Sequence, residues 1–279
     1  SDRVHRFCRT GIHSHPRPAH LAPGCCETLQ RLSRSRRQAI ESCTAWRAPR
    51  SLLAGSPSDK LSAARVEPPT SGVVGIAVQR VFLLSPAKVG GVRAGLLLNP
   101  TAPFALARQF HREGLTLGEI FTFASGLYFR GKLTYAQRFA SVASGDRVRV
   151  ITSNRGLVDP TQQFRPDALR AFGDVDIHEA DPRYLGPLLR DARALAKKLP
   201  SDGVAILLGS IATAKYREVL LESFGSRLVF PKDFVGRGDM SRGGLLLRAA
   251  REGKELEYVP ILGAVLKGKR APRISDMGA

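Results

Sequence analysis

Lys88 stands in Ser85-Pro86-Ala87-Lys88-Val89-Gly90-Gly91, directly after the apolar run Val81-Phe82-Leu83-Leu84. A buried strand stopped by a Pro and two Gly hands its next side chains to the open end of a sheet, where open α/β proteins bind ligands. A lysine delivered there is a candidate anion ligand. If desolvation and nearby cations lower its pKa, it is also a candidate nucleophile. Comparable turns follow two further apolar runs: Ser153-Asn154-Arg155-Gly156 after residues 147–152, and Gly209-Ser210, with Lys215-Tyr216 just beyond, after residues 204–208. If these strands are parallel, Lys88, Asn154, Arg155, Ser210 and Lys215 converge on one rim.

Two further stretches carry phosphate-binding chemistry. Tyr128-Phe129-Arg130-Gly131-Lys132 interleaves aromatics with cations, the pattern by which bases are stacked and phosphates neutralised. A core Phe beside solvated cations at a helix start gives the same pattern. Arg237-Gly238-Asp239-Met240-Ser241-Arg242 places Arg and Ser at a helix N-terminus, where the dipole and unpaired amides favour an anion; Asp239 as a plain cap competes with that reading. For acid–base work the choices are few. Asp159 or Asp239 would serve as acid or base, although Asp159, before Pro, more commonly forms a turn, and Ser210 or Asn154 would orient a substrate. The catalytic candidates are thus Lys88, Asp159 and Ser210. The binding candidates are Tyr128, Arg130, Lys132, Asn154, Arg155, Lys215, Tyr216, Arg237, Ser241 and Arg242.

Other chemistries lack their signatures. Gly90-Gly91-Val92-Arg93-Ala94-Gly95 misses the G-x-G-x-x-G spacing, and Gly131-Lys132-Leu133-Thr134 has Leu where a phosphate loop needs Ser or Thr. There is no G-x-S-x-G and no H-E-x-x-H, and His111 and His178 stand alone. No cofactor is expected. Cys8, His13, His15, His20, Cys25 and Cys26 invite a zinc reading, but their spacings match no pair-and-pair ligand pattern; no metal is expected.

The elements that must position these residues follow from periodicity. Strands are expected over residues 78–84, 147–152, 204–208 and 227–230, with an edge strand over 257–260. Helices are expected over 103–112, onward from Thr116 with Glu119 at capping-box spacing, and over about 132–139. Further helices run from Asp181-Pro182 to about residue 199, with Pro at the favoured first position, and over 213–224 and 240–251. Asp239 would cap the last, in which Gly243-Gly244 either weaken the helix or allow close packing. Strands alternating with helices argue an α/β domain, a mostly parallel central sheet with helices on both faces.

The chain has 279 residues and a formal net charge of +19. Residues 1–70 carry 12 Lys and Arg against 5 Asp and Glu, together with all four Cys and the only Trp. They lack sustained apolar periodicity and are expected to form a disordered basic tail. Residues 71–266 form the α/β domain, and 267–279 a basic C-terminal tail. A surplus of positive charge within the domain points to a polyanion, with nucleic acid the default partner; a GC-rich genome would raise Arg without one. No apolar run of about 18 residues is present, so no membrane partner is expected. The domain lacks Cys, which suits a reducing, cytoplasmic setting. Oligomeric state is not legible.

Taken in order over about residues 81–250, several segments resemble the YaaA-type peroxide-stress family. Leu84-Ser85-Pro86-Ala87-Lys88 is similar to its I-S-P-A-K signature, and Gly156-Leu157-Val158-Asp159-Pro160 to its S-G-L-Y-G-V-L-R-P loop, with Asp159 where the family has Arg. Ser210 to Tyr216 is similar to its S-x-x-Y segment, and Arg237-Gly238-Asp239-Met240-Ser241-Arg242 to its R-G-L-M-S-R run. The stretch from Gly126 to Tyr135 resembles a related group that shares a uracil-DNA-glycosylase-like architecture with tRNA deazaguanine-modifying enzymes. The resemblance implies an α/β fold with a basic cleft, DNA binding in preference to RNA, and a role in oxidative stress or the DNA-damage response. It carries to Lys88, Gly156, Pro160, Tyr216, Arg237, Ser241 and Arg242. Three functions remain open: a module binding nucleic acid or nucleotides, an enzyme acting on a nucleobase or nucleotide with Lys88 as nucleophile or anchor, and a structural or regulatory protein whose charge is incidental.

Overall fold

Four consecutive apolar residues, Val81, Phe82, Leu83 and Leu84, are at most 1% exposed. Side chains alternate between the faces of a strand, so a run buried throughout requires a sheet covered by helices on both faces. The computed structural model describes residues 79–140, 147–265 and 268, all within one unit, residues 58–279. In chain order the elements are β1 (Arg80–Leu84), α1 (Val92–Leu98), α2 (Ala105–Arg112), β2 (Leu115–Thr116), α3 (Leu117–Ser125) and α4 (Leu127–Phe139). There follow β3 (Val148–Ile151), β4 (Leu157–Val158), β5 (Gln163–Phe164), α5 (Pro166–Gly173) and α6 (Pro182–Lys198). The described chain closes with β6 (Val204–Leu208), α7 (Ala214–Phe224), β7 (Leu228–Pro231), α8 (Asp239–Glu252) and β8 (Tyr258–Pro260).

The six-stranded sheet has the order β4-β3-β1-β6-β7-β8. Its four inner strands are parallel, and β4 and β8 close the edges antiparallel. The α/β architecture with a mostly parallel sheet is therefore the one the sequence predicts. Chain direction then locates the site. From β1 the chain continues to β3 on one side, and from β6 to β7 on the other. A crevice consequently opens between the carboxyl ends of β1 and β6, the topological switch point where such sheets bind ligands. The two strands pair in register from Arg80↔Val204 to Leu84↔Leu208, so they end level and their turns lie side by side.

Local chemistry explains most element boundaries. Thr116 Oγ1 accepts from the Glu119 N–H at 3.3 Å, and Glu119 accepts from the Thr116 N–H at 2.9 Å, a complete capping box for α3. Asp181 accepts from the Arg183 N–H at 2.9 Å and Pro182 opens α6. Two expectations are corrected. Helix α4 starts at Leu127, not near Lys132, because Gly126 at φ +65 ends α3 and serves as the N-cap from which the next helix begins at once. Asp239 is the first residue of α8 rather than its cap; Gly238 takes the cap position and no side chain caps it. Helices α1 and α5 and the short β2, β4 and β5 were not predicted.

Helix α4 packs on α8 at a glycine contact. A Cβ built on Gly131 would stand 2.6 Å from the Gly243 carbonyl oxygen, and one on Gly243 would stand 2.9 Å from that of Leu127. Close backbone approach is thus the reason for Gly243. Expectations for the tails, residues 1–70 and 267–279, lie outside the described residues except at Gly268. No described helix is long and apolar enough to cross a membrane.

Candidate functional site

A cleft of about 560 Å³ opens at the switch point. Each inner strand leads into a segment that lines it: Ser85 to Gly90 after β1, Ser153 after β3, Ser210 and Lys215 after β6, and Asp239 following β7. Four turns do gather around one pocket, although the second and fourth contribute Ser153 and Asp239 rather than the expected Arg155 and Arg237. The walls come from Phe121 and Tyr128 of α3 and α4, Phe172 of α5, Val175 and Ile177 beyond it, and Tyr216 of α7.

The charges in the lining balance. Lys88 and Lys215 face Asp176 and Asp239, so the cleft is not the uniformly basic groove suggested by the net charge. Lys88 is exposed, which fits a cation that meets an anion and not a desolvated nucleophile. Lys215 Nζ lies 5.2 Å from the centroid of the Tyr216 ring. Tyr128 is 7% exposed, and its hydroxyl lies near Arg242 without making a hydrogen bond of good geometry. The nearby Arg242 commits Nε and Nη2 to the Phe234 carbonyl at 3.2 and 3.0 Å. Burial pushes the Tyr128 phenol up to about 12, more than Arg242 pulls it down. It therefore sits in the cleft as a neutral group able to donate or accept.

Lys132 is the largest departure from expectation. Predicted as a phosphate ligand, it is 1% exposed and does not line the cleft. Its Nζ donates to the Ser85 carbonyl at 2.5 Å and Ser85 Oγ at 2.8 Å, behind the cleft floor. The Tyr128 and Phe129 ring centroids lie 4.4 and 5.0 Å away. Each such contact favours a desolvated ammonium by about 2 kcal/mol or more, and burying a charge without a counterion costs several. Burial wins: with Asp239 raising and Arg242 lowering it further, the Lys132 amine falls to about 7.

The other predicted residues are placed apart from the cleft lining. Asp159 pairs with Arg149 at 2.8 Å and accepts from the Thr161 N–H and hydroxyl. Burial would raise its pKa, but these hydrogen bonds and the Arg149 charge hold it below the usual range; it is a turn residue. Asn154 Nδ2 donates to the Ala171 carbonyl at 2.7 Å, and Arg155 lies 5.4 Å over the Phe164 ring. Arg130 is exposed on α4. Arg237 and Arg242 are 7% and 9% exposed; Arg237 donates to Ser241 Oγ at 3.3 Å. These arginines tie the start of α8 to its preceding loop instead of presenting free faces to phosphate. The structure thus brings together Lys88, Tyr128, Ser210, Lys215 and Tyr216.

Ser85, Ser153, Asp176 and the apolar wall were not predicted. Ser85 had a usable signal, its position as the first polar residue after an apolar strand. Asp176 had none, because its segment follows the unpredicted α5. Among the described residues no group of three or more His, Cys, Asp or Glu is placed to hold a metal ion. No protein-family model, curated protein or solved structure matches this chain, and the functional reading rests on this geometry.

Proposed function

We propose that the switch-point cleft binds a nucleotide, free or as a single unstacked unit of a DNA strand. The observation that carries the reading is the convergence of Lys88 and Lys215 with Tyr128 and Tyr216 in one cleft at the carboxyl ends of parallel strands. Two ammonium groups meet a phosphate. The tyrosine faces, with Phe172 and Ile177, take a base by stacking, at about 1–3 kcal/mol per base. The volume lies within the roughly 300–1,000 Å³ of small-ligand pockets. Two aspartates in the lining disfavour a long phosphate track and suit the amino edge of a base. The resemblance of Ser85-Pro86-Ala87-Lys88 and its companions to peroxide-stress proteins supports a role in oxidative or DNA damage, in a cytoplasmic setting. A second reading, an enzyme with Lys88 as nucleophile, has less support because that lysine is solvent-exposed.

The test is calorimetric titration with nucleoside monophosphates, the matching nucleosides and a short single-stranded oligonucleotide. Micromolar binding of the monophosphates, weakened at least 10-fold in the Lys88→Ala/Lys215→Ala double variant while nucleoside affinity is retained, supports the reading. Absence of binding, or equal affinity in the double variant, refutes it.

A further inference from the structure

Nucleotide binding leaves the floor of the cleft unexplained. Ser85 follows β1, lines the cleft and, among the described residues, is the side-chain hydrogen-bonding partner of Lys132, through its carbonyl and its hydroxyl oxygen. Among the described residues Lys132 makes no ion pair. A purely structural pin gains the bond to the Ser85 carbonyl, but it desolvates a charge that an apolar side chain of the same length would not. Nζ donates to the Ser85 carbonyl and to Ser85 Oγ, while the Ser85 hydroxyl donates to the Leu208 carbonyl at 3.3 Å. A neutral amine keeps one N–H on the Ser85 carbonyl, and its lone pair takes the Ser85 proton once the hydroxyl turns from Leu208 to Nζ, 2.8 Å away. The groups that bear on its charge are Tyr128 on its own helix and Asp239 and Arg242 on α8. Gly209 lies beside the hydroxyl; a Cβ there would stand 3.1 Å from Ser85 Oγ. In the same cleft the Tyr128 hydroxyl is buried without a hydrogen bond of good geometry, a donor for an oxygen that gains charge.

We propose that Ser85 and Lys132 are a nucleophile–base pair that cleaves carboxylic esters bound in the cleft. The Ser85 Oγ–H proton passes to the Lys132 lone pair as Oγ bonds to the acyl carbon, and the carbonyl π pair moves onto its oxygen, facing the Tyr128 hydroxyl. Collapse of this adduct breaks the bond to the alcohol oxygen, which takes the proton from Lys132 and leaves acyl-Ser85. Water then attacks the acyl carbon, its proton going to Lys132 and on to Ser85 Oγ as the acid departs. Ester and water become acid and alcohol, and both side chains are restored. The wall of Phe121, Phe172, Val175 and Ile177 selects an apolar or aromatic ester, and Lys88 and Lys215 accept an anionic group on it. This inference does not depend on nucleotide binding.

The full chain is treated with p-nitrophenyl acetate, p-nitrophenolate release is followed, and the adduct is located by peptide mass. The expected result is a stoichiometric burst with acetyl-Ser85, absent in Ser85→Ala and slowed at least ~100-fold in Lys132→Met. The wild-type burst rate rises with pH and levels off above about 7 as Lys132 loses its proton. No adduct on Ser85, an undiminished burst in a folded Lys132→Met protein, or a rate climbing with hydroxide to pH 9 without a plateau overturns the proposal. If Lys132→Met does not fold, the wild-type pH profile decides. Nucleotide affinity is carried by Lys88 and Lys215, so either idea can fail while the other survives.

Discussion

Replacing Lys132 with Met keeps the length of the side chain and removes the one buried amine under the cleft. Burial lowers that amine from 10.5 to about 7. The unfolded chain therefore holds a proton on Lys132 that the folded chain has lost between those values, and stability rises with pH across that window. At about 1.4 kcal/mol per pH unit of difference, the full penalty below pH 7 is on the order of 5 kcal/mol. It shrinks by about 2 kcal/mol between pH 7 and pH 9 and is gone above 10.5. Lys132→Met carries no such term, so the unfolding free energy of the variant minus that of the wild type should fall by about 2 kcal/mol from pH 7 to pH 9. Urea unfolding of both proteins at half-unit pH steps, followed by fluorescence of the buried tyrosines and by circular dichroism, measures it. Other titrating groups cancel in the difference. A variant-minus-wild-type difference that stays flat across pH 7–9, or rises, shows that Lys132 is charged at neutral pH and sinks the idea of an amine free to take the Ser85 proton.

Tyr128→Phe removes a buried hydroxyl that makes no hydrogen bond of good geometry, so the ligand-free protein should hold its stability or gain up to about 1 kcal/mol, while nucleotide affinity falls about 5- to 10-fold by calorimetry; lower thermal stability would show that the hydroxyl has a structural partner. Gly131→Ala drives a Cβ against the Gly243 backbone at 2.6 Å and should cost about 1–3 kcal/mol in urea unfolding. Gly95→Ala, where a Cβ meets nothing within 4 Å in the middle of α1, should instead stabilise by about 0.5–1 kcal/mol. Asp159→Asn should cost no more than about 1 kcal/mol at pH 7, screened because the carboxylate is partly exposed. That loss should vanish as pH falls through the depressed pKa of Asp159, and nucleotide binding should not change.

Much of the fold was legible because its causes are local. The runs 81–84 and 204–208 are apolar throughout, which demands cover on both faces, and the capping box at Thr116 and Glu119 sets a helix start by spacing alone. Lys132 shows where local reading stops. It sits three and four residues from Phe129, Tyr128, Tyr135 and Ala136, all buried on one face of α4, a stripe visible only once the helix is started at Leu127. Without that start, a Lys among Arg and Gly reads as solvated. Arg237 and Arg242 misled for a related reason: cations near a helix start suggest phosphate, yet the Ser241 hydroxyl takes an Arg237 donor and the Phe234 carbonyl takes two from Arg242.

By itself the sequence determined the class of fold and the place of Lys88 and Ser210 just beyond strand ends, with Lys215 and Tyr216 in the segment that follows, because hydrophobic period and turn residues act over a few positions. Only the tertiary structure decided which side chains share the cleft and which lysine is buried. Strand order sets which turns become neighbours, and the packing of α4 against β1 and α8 brings Lys132 to Ser85 across 47 residues of chain, a distance over which no local pattern carries information.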